Sequence, residues 1–268
     1  MMICDGDIIK LGKHTIICGD STKLQTYKDL LKENQVDLVL TSPPYNAGRM
    51  SKKPLRSCYI SDTSFYVNND IDNKTKHEYY NFCIDTLNNI SQFVKKKHTI
   101  LWNVAYNKKS RSDYGEIIFS KDNVFQVQDT IIWDKQSCLP FHLPTILGRR
   151  CEFIFCMSKS TKTYLTNFRD GYSNYLSISS RNSQFQNHAA CFPIQLCNKL
   201  FDMFLSERSV VLDTFLGSGT SLIACELNNH ICFGIEKEPE YIELTIKRYN
   251  DFINNFGNSN ERTLFNTL

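Results

Sequence analysis

Short runs rich in β-branched and aromatic residues recur along the chain, each bounded by polar or turn-forming positions: His14–Cys18, Val36–Thr41, His98–Val104, Val127–Trp133, Cys151–Met157, Val210–Asp213 and Ile231–Ile235. Apolar runs of this length, about four to eight residues, predict strands. Segments of helical length lie between several of them, at Lys74–Val94, Pro193–Leu205, Thr220–Asn229 and Pro239–Phe252. Two of these open on proline, whose missing N–H costs nothing in a first helical turn. The alternation predicts an α/β fold around a largely parallel sheet of seven strands. Val127–Trp133 and Cys151–Met157 are joined by a stretch with Pro140, Pro144 and Gly148 and no helical pattern, so they are expected as an antiparallel hairpin at one edge.

Two stretches break the pattern. From Asn46 to Asn69, Arg49, Lys52, Lys53 and Arg56 face a single acid, Asp62, with Tyr59, Phe65 and Tyr66 interleaved. From Ser158 to Asn187, nearly half the residues are Ser, Thr or Asn, carrying Lys159, Lys162, Arg169 and Arg181 with five aromatic rings. Cations interleaved with aromatics suit phosphate contact and base stacking, although ordinary surface loops are also polar. Lys95–Lys97 reads as the solvated end of the preceding helix.

At 268 residues with 41% hydrophobic and 22% charged positions, the chain is neither disordered nor fibrous. A net charge of +3 does not mark a nucleic-acid binder by itself. The cysteine count, 11, is odd, and the first ten residues lack the apolar core of a secretory signal, which points to a reducing, cytoplasmic setting. No CxxC pair or matching His spacing is present, so no metal site is expected. No apolar run reaches the roughly 20 residues that span a bilayer.

Three segments carry chemistry. Val210–Asp213 runs into Asp213-Thr-Phe215-Leu-Gly217-Ser218-Gly219-Thr-Ser and a helix. The glycines permit a tight turn and close approach by a ligand, next to the N–H groups of a helix start. Leu222 stands where a dinucleotide fingerprint needs its third glycine, which weakens a pyrophosphate reading; a purely structural turn is the plain alternative. The next strand ends at Glu236, an acid suited to a pair of ribose hydroxyls, or else a surface charge. Val36–Thr41 leads into Ser42-Pro43-Pro44-Tyr45. Two prolines remove two N–H donors and leave carbonyl acceptors beside an aromatic ring, which suits a planar group bearing an amine. A rigid loop closing the strand accounts for the same prolines.

Taken together these segments resemble the S-adenosylmethionine-dependent DNA amino-methyltransferases that act on N4 of cytosine or N6 of adenine. Asp213–Gly219 is similar to that family's cofactor motif DxFxGxG, Ser42–Tyr45 to its (D/N/S)PPY catalytic motif, and Glu236 to the acid that follows. His188–Pro193 is similar to its HPAxFP segment, with Ala189 in place of proline. Cys18-Gly19-Asp20 is similar to its Gly-Asp element, and Arg150–Lys159 to its edge-strand segment. The catalytic motif precedes the cofactor motif, the order of the circularly permuted β group. The resemblance implies a Rossmann-like methyltransferase fold made of a catalytic part (1–157), a target-recognition insertion (158–187) and a cofactor-binding part (188–268).

It also implies roles. Ser42, Pro43, Pro44 and Tyr45 are expected to be catalytic, and Asp20, Phe192, Asp213, Phe215, Gly217, Ser218, Gly219 and Glu236 to hold S-adenosylmethionine. Arg49, Lys52, Lys53, Arg56, Arg149 and Arg181 are expected to touch double-stranded DNA. The serine at the head of the catalytic motif favours N4 of a flipped cytosine, with adenine N6 the alternative, in a restriction–modification setting with a cognate endonuclease as partner. An RNA or protein-amide methyltransferase, a dinucleotide oxidoreductase and a non-catalytic DNA-binding subunit are the other readings. The first reading requires that the proline pair and the twin glycines meet at one site.

Overall fold

The computed structural model describes residues 2–46, 73–105, 113–136, 148–160, 165, 172–180 and 192–257. Its elements in chain order are β1 (Ile8–Leu11), β2 (His14–Cys18), α1 (Leu24–Leu31), β3 (Val36–Thr41), α2 (Lys76–Ile90), β4 (Val94–Val104), α3 (Asp113–Ile118), β5 (Gln126–Asp134), β6 (Cys151–Ser158), β7 (Tyr175–Ser177), α4 (Ile194–Phe204), β8 (Val210–Asp213), α5 (Thr220–Leu227), β9 (Ile231–Glu236) and α6 (Pro239–Gly257). The strands form one sheet in the order β1-β2-β9-β8-β3-β4-β6-β5-β7. Pairs β1–β2, β4–β6 and β5–β6 are antiparallel, and the other pairs are parallel.

Alternate side chains of each central strand go to opposite faces, as the pleat requires. Leu38 and Leu40, Val211, Leu101 and Ile154 join the core packed by α4, α5 and α6. Val39, Leu212, Ile100, Trp102 and Phe155 join the core packed by α1, α2 and α3. Both faces of the central strands are therefore covered, which explains their nearly continuous apolar runs. Helix α2 starts at a capping box in which Thr75 accepts from the Glu78 N–H and the Glu78 side chain accepts from Thr75 N.

The expected sheet needs correction in strand number, because the described residues form nine strands where seven were expected. The first extra strand, β1, turns back onto β2 through Gly12-Lys13, with Leu11 opposite His14. Gly12 has φ +57, the conformation that two-residue hairpins need and that glycine adopts without penalty. The second, β7, has only three residues and lies in the Ser/Asn-rich stretch, too short to show a period. It adds to β5 in parallel, so the β5–β6 pair is antiparallel as expected but β5 is not the sheet edge. Lys95–Lys97 also differs from expectation. It belongs to β4, where Lys95 Nζ meets Asp37 Oδ2 at 2.8 Å, so these lysines extend a strand past the core and do not end a helix.

Candidate functional site

β3 and β8 are neighbouring parallel strands, so their carboxyl ends open side by side at the same edge of the sheet. Thr41 closes β3 and Asp213 closes β8. Thr41 Oγ1 donates to Asp213 Oδ1 at 2.9 Å and lies 3.0 Å from Thr214 Oγ1, all three residues being buried. This contact joins the segment that begins at Ser42 to the glycine loop, 172 positions away in sequence. Asp213 also accepts from Ser221 Oγ at 2.6 Å and from Phe215 N at 3.1 Å. Its carboxylate is thus occupied inside the protein, tying strand end, loop and helix start together. Burial raises its pKa above the ordinary aspartate value.

The glycine loop is shaped by backbone and by α6. Gly217 and Gly219 have φ +55 and +78, conformations costly for residues with a Cβ. A Cβ on Gly219 falls 2.5 Å from Thr245 Cγ2, so α6 packs directly on the loop. Thr245 Oγ1 donates to the Gly217 carbonyl at 2.9 Å, and Arg248 Nη1 donates to Ser218 Oγ at 2.6 Å. Gly217 is different: among the described residues a Cβ there has no neighbour closer than the Phe215 carbonyl at 3.9 Å, so they leave that side of the loop open. Glu236, at the end of β9, accepts from Gly217 N at 2.8 Å and from Glu238 N at 2.9 Å. Burial pushes its carboxyl up to about 7 in spite of these hydrogen bonds. Asp20 follows β2, which pairs with β9, and its carboxylate accepts from Thr22 and from Lys237 Nζ at 3.0 Å.

The proline segment is held by side chains. Ser42 Oγ lies 2.7 Å from Tyr45 Oη, which donates to Glu152 Oε2 at 3.1 Å. Asn103 Nδ2 donates to Tyr45 Oη at 2.6 Å and to Glu152 Oε2 at 2.8 Å, and Lys135 Nζ meets Glu152 Oε1 at 2.9 Å. Burial first, and then the Glu152 charge, hold the Tyr45 phenol well above its ordinary pKa, so it stays protonated. Tyr79 Oη donates to the Pro44 carbonyl at 2.9 Å. Asn46 then exchanges hydrogen bonds with Lys74, Nδ2 to carbonyl at 3.0 Å and N–H to Oδ1 at 2.8 Å, clamping the chain on either side of residues 47–72.

This constellation coincides with a known family. The model of the N6_N4_Mtase family, DNA methylase, matches residues 36–247, which is most of the chain. The chain belongs to the DNA methylase family. Its relatives include the type II beta methyltransferase M.BslI of Bacillus sp. (strain NEB-606), 27% identical over 267 residues covering 88% of this chain and 28% of the relative. The chain spans less than half the length of the curated relatives it matches first. Among solved structures, the PvuII DNA methyltransferase, titled cytosine-N4-specific, superposes with a TM-score of 0.67 at 18% identity, covering 92% of this chain and 95% of that one. The M1.HpyAVI-SAM complex superposes with a TM-score of 0.60 at 20% identity, covering 87% and 98%. At that identity the two structures establish the shared α/β methyltransferase fold.

Within this family member, the structure brings Ser42, Pro43, Pro44 and Tyr45 beside Asp213, Phe215, Gly217, Ser218 and Gly219, with Glu236 and Asp20 on the next strands outward. Phe215 packs against Phe82 and Trp102, with ring centroids 5.5 and 6.2 Å apart. Phe192 has its ring 6.1 Å from that of Trp133, which pairs across the strands with Glu152. Arg149 lies just ahead of β6, half-buried; Arg49, Lys52, Lys53, Arg56 and Arg181 lie outside the described residues. Sequence reasoning assigned no role to Asn103, Glu152, Lys135, Thr41 or Thr245. Their signal was a polar residue set in or at the end of an apolar strand or helix face. Burial pushes the Cys83 and Cys156 thiols up to about 12, which keeps them protonated and unreactive.

Proposed function

We propose that this chain transfers a methyl group from S-adenosylmethionine to the exocyclic N4 amine of a cytosine turned out of duplex DNA. The single observation that carries the reading is the Thr41–Asp213 hydrogen bond, which sets an acceptor-rich proline segment against a glycine loop at one edge of the sheet. The residues present fit the donor. Gly217 leaves an open face. Glu236 spends one lone pair of each oxygen on backbone N–H groups and keeps capacity for two ribose hydroxyls. When bound, the donor supplies a sulfonium-activated methyl group; Gly217, Ser218, Gly219, Asp20 and Glu236 hold it against the loop.

The target amine is a weak nucleophile because its lone pair is delocalised into the ring. Ser42 Oγ and a carbonyl of the proline segment accept its protons, which localises the lone pair and stabilises the positive charge that grows on nitrogen. The Pro44 carbonyl already accepts from Tyr79, which favours the Ser42 or Pro43 carbonyl as the acceptor. Tyr45 offers its ring face to the base, which offsets part of the few kcal/mol that unstacking costs. Arg149 and the cations of 49–56 and Arg181 bind phosphates, and 158–187 is the recognition insertion. Type II relatives support a restriction–modification setting with a cognate endonuclease.

The choice of cytosine rests on Ser42 at the head of the motif and on the cytosine-N4 title of the PvuII structure. Tritiated methyl transfer to DNA, followed by nuclease digestion and mass spectrometry, tests it. N4-methylcytosine is expected. N6-methyladenine as sole product replaces the base assignment, and no transfer to DNA removes the proposal.

A further inference from the structure

The hydroxyls of Ser42 and Tyr45 each carry one proton, and the direction in which those protons point decides what Ser42 offers to a substrate. Nothing within the serine–proline motif sets that direction. The neighbouring strands do. Glu152 stands at the start of β6 and Asn103 near the end of β4; the two strands are antiparallel, so both residues arrive at the same edge of the sheet, and Lys135 follows β5 beside them. An ionised carboxylate only accepts. Its Oε1 is held by Lys135 at 2.9 Å and its Oε2 receives Tyr45 Oη at 3.1 Å and Asn103 Nδ2 at 2.8 Å.

With its proton committed to Glu152, Tyr45 Oη is an acceptor toward its other two partners. One is Asn103 Nδ2 at 2.6 Å; the other is Ser42 Oγ at 2.7 Å, which must therefore be the donor of that bond. The reverse polarity puts two bare oxygens face to face at the Tyr45–Glu152 contact. Ser42 is left with lone pairs alone for anything else it meets. Asn103 shows that Glu152 commands the arrangement: its amide nitrogen faces the carboxylate while its buried Oδ1 has no hydrogen-bond partner among the described residues.

We propose that Glu152, held by Lys135, is a positioning residue that orients the chain Ser42→Tyr45→Glu152 so that Ser42 Oγ meets the target amine purely as a hydrogen-bond acceptor. The inference rests on the methyl-transfer reading and adds a group outside the serine–proline motif to it. Lys135 prevents an easy substitute. In Glu152→Gln, the amide nitrogen faces either Lys135, donor against donor, or the Tyr45–Asn103 pair, where it donates to Tyr45 Oη and turns that proton back toward Ser42.

The test measures single-turnover tritiated methyl transfer to DNA from an unmodified host by the full chain, for wild type, Ser42→Ala, Glu152→Gln and the double variant. Glu152→Gln is expected to lower the rate about 10- to 100-fold, the scale of a lost charge-assisted hydrogen bond, with S-adenosylmethionine Kd unchanged and the chain still fully folded at the assay temperature. In the Ser42→Ala background the same substitution is expected to cost less than about twofold, because its effect passes through Ser42. Glu152→Asp, which retains a proton-free acceptor, is expected to keep more activity than Glu152→Gln. Multiplicative losses, an unchanged Glu152→Gln rate, or a rate loss fully accounted for by unfolding at the assay temperature overturns the inference while leaving methyl transfer standing. Should Glu152→Gln not fold, Tyr45→Phe removes the same link and is expected to show the same non-additivity with Ser42→Ala; additivity there overturns the proposal. A wild-type chain with no transfer overturns the methyl-transfer reading, and this inference with it.

Discussion

The glycine loop and the proline segment sit on adjacent strand ends, yet they are built from opposite materials. At 217–219 the working surface is backbone at positive φ: Gly217 N–H is given to Glu236 and Gly219 N–H to the Leu216 carbonyl, and Thr245 and Arg248 of α6 brace the loop from behind. At 42–45 two prolines remove N–H groups, and the working surface is carbonyls and hydroxyls aligned by Asn103, Glu152 and Tyr79 from other elements. One region offers an open backbone face beside an acid, the other acceptors beside a ring. A cofactor rich in hydroxyls and charge needs the first, and an amine that must become a nucleophile needs the second. Neither is stable alone at the sheet edge, because the buried Asp213 carboxylate satisfies hydroxyls from both sides.

The largest break in this comparison is expected from Asp213→Ala. It strands the Ser221 hydroxyl and the Phe215 N–H in a buried site and leaves Thr41 with Thr214 alone, at about 1 to 3 kcal/mol for each unsatisfied group. Urea unfolding is expected to show a loss of several kcal/mol, and both cofactor binding and methyl transfer are expected to fall together. Ser42→Ala tests the acceptor region alone. Removal of one charge-stabilising partner is expected to lower single-turnover transfer about 100- to 1,000-fold while calorimetry finds the cofactor affinity unchanged.

Gly217→Ala tests the glycine loop alone. An alanine at φ +55 carries a left-handed backbone penalty of about 1 to 2 kcal/mol; with the free loop relaxing to relieve it, cofactor affinity is expected to weaken about 5- to 30-fold with the rate at saturation retained. A proton distinguishes the regions more finely. Glu236 has its folded pKa raised from 4.5 to about 7 by burial. The folded chain therefore keeps a proton that the unfolded chain has released, and stability attributable to this group is fully present below about 4.5 and is lost as pH rises to about 7. Cofactor affinity moves the other way, since ribose hydroxyls need the ionised acid. Titration is expected to show affinity about tenfold weaker at pH 6 than at pH 8, and Glu236→Gln is expected to abolish that slope. The smallest effect is expected from Arg149→Ala: a reduction of about 1 in the salt slope of DNA binding, uniform across sequences.

How much of this could be read in advance depends on how local each cause is. The strands β3, β8 and β9 announced themselves because burial on both faces leaves no room for polar positions, so their runs are continuous in the chain. β1 escaped because it is four residues long at an edge, only Leu11 of them buried, with only Gly12 to signal the turn. β7 escaped because pairing with β5, and not its own composition, makes it a strand. Lys95 to Lys97 misled because a lysine triplet after a helical segment is read by charge, while it lies in a strand whose pairing with β3 holds on either side of it, at Val94 and from Thr99 on.

By itself, the sequence determined the residues that act through their own backbone or covalent form: glycines where φ must be positive, prolines where N–H must be absent, an acid closing a strand. Such constraints are written at the position where they operate. Only the tertiary structure decided which distant groups meet. Thr41 finds Asp213 because β3 lies beside β8, and Glu152 finds Tyr45 because β6 runs antiparallel between β4 and β5. Those partnerships depend on strand order, a property of the packed sheet that no stretch of chain carries, and the polarity of every hydroxyl at the site follows from them.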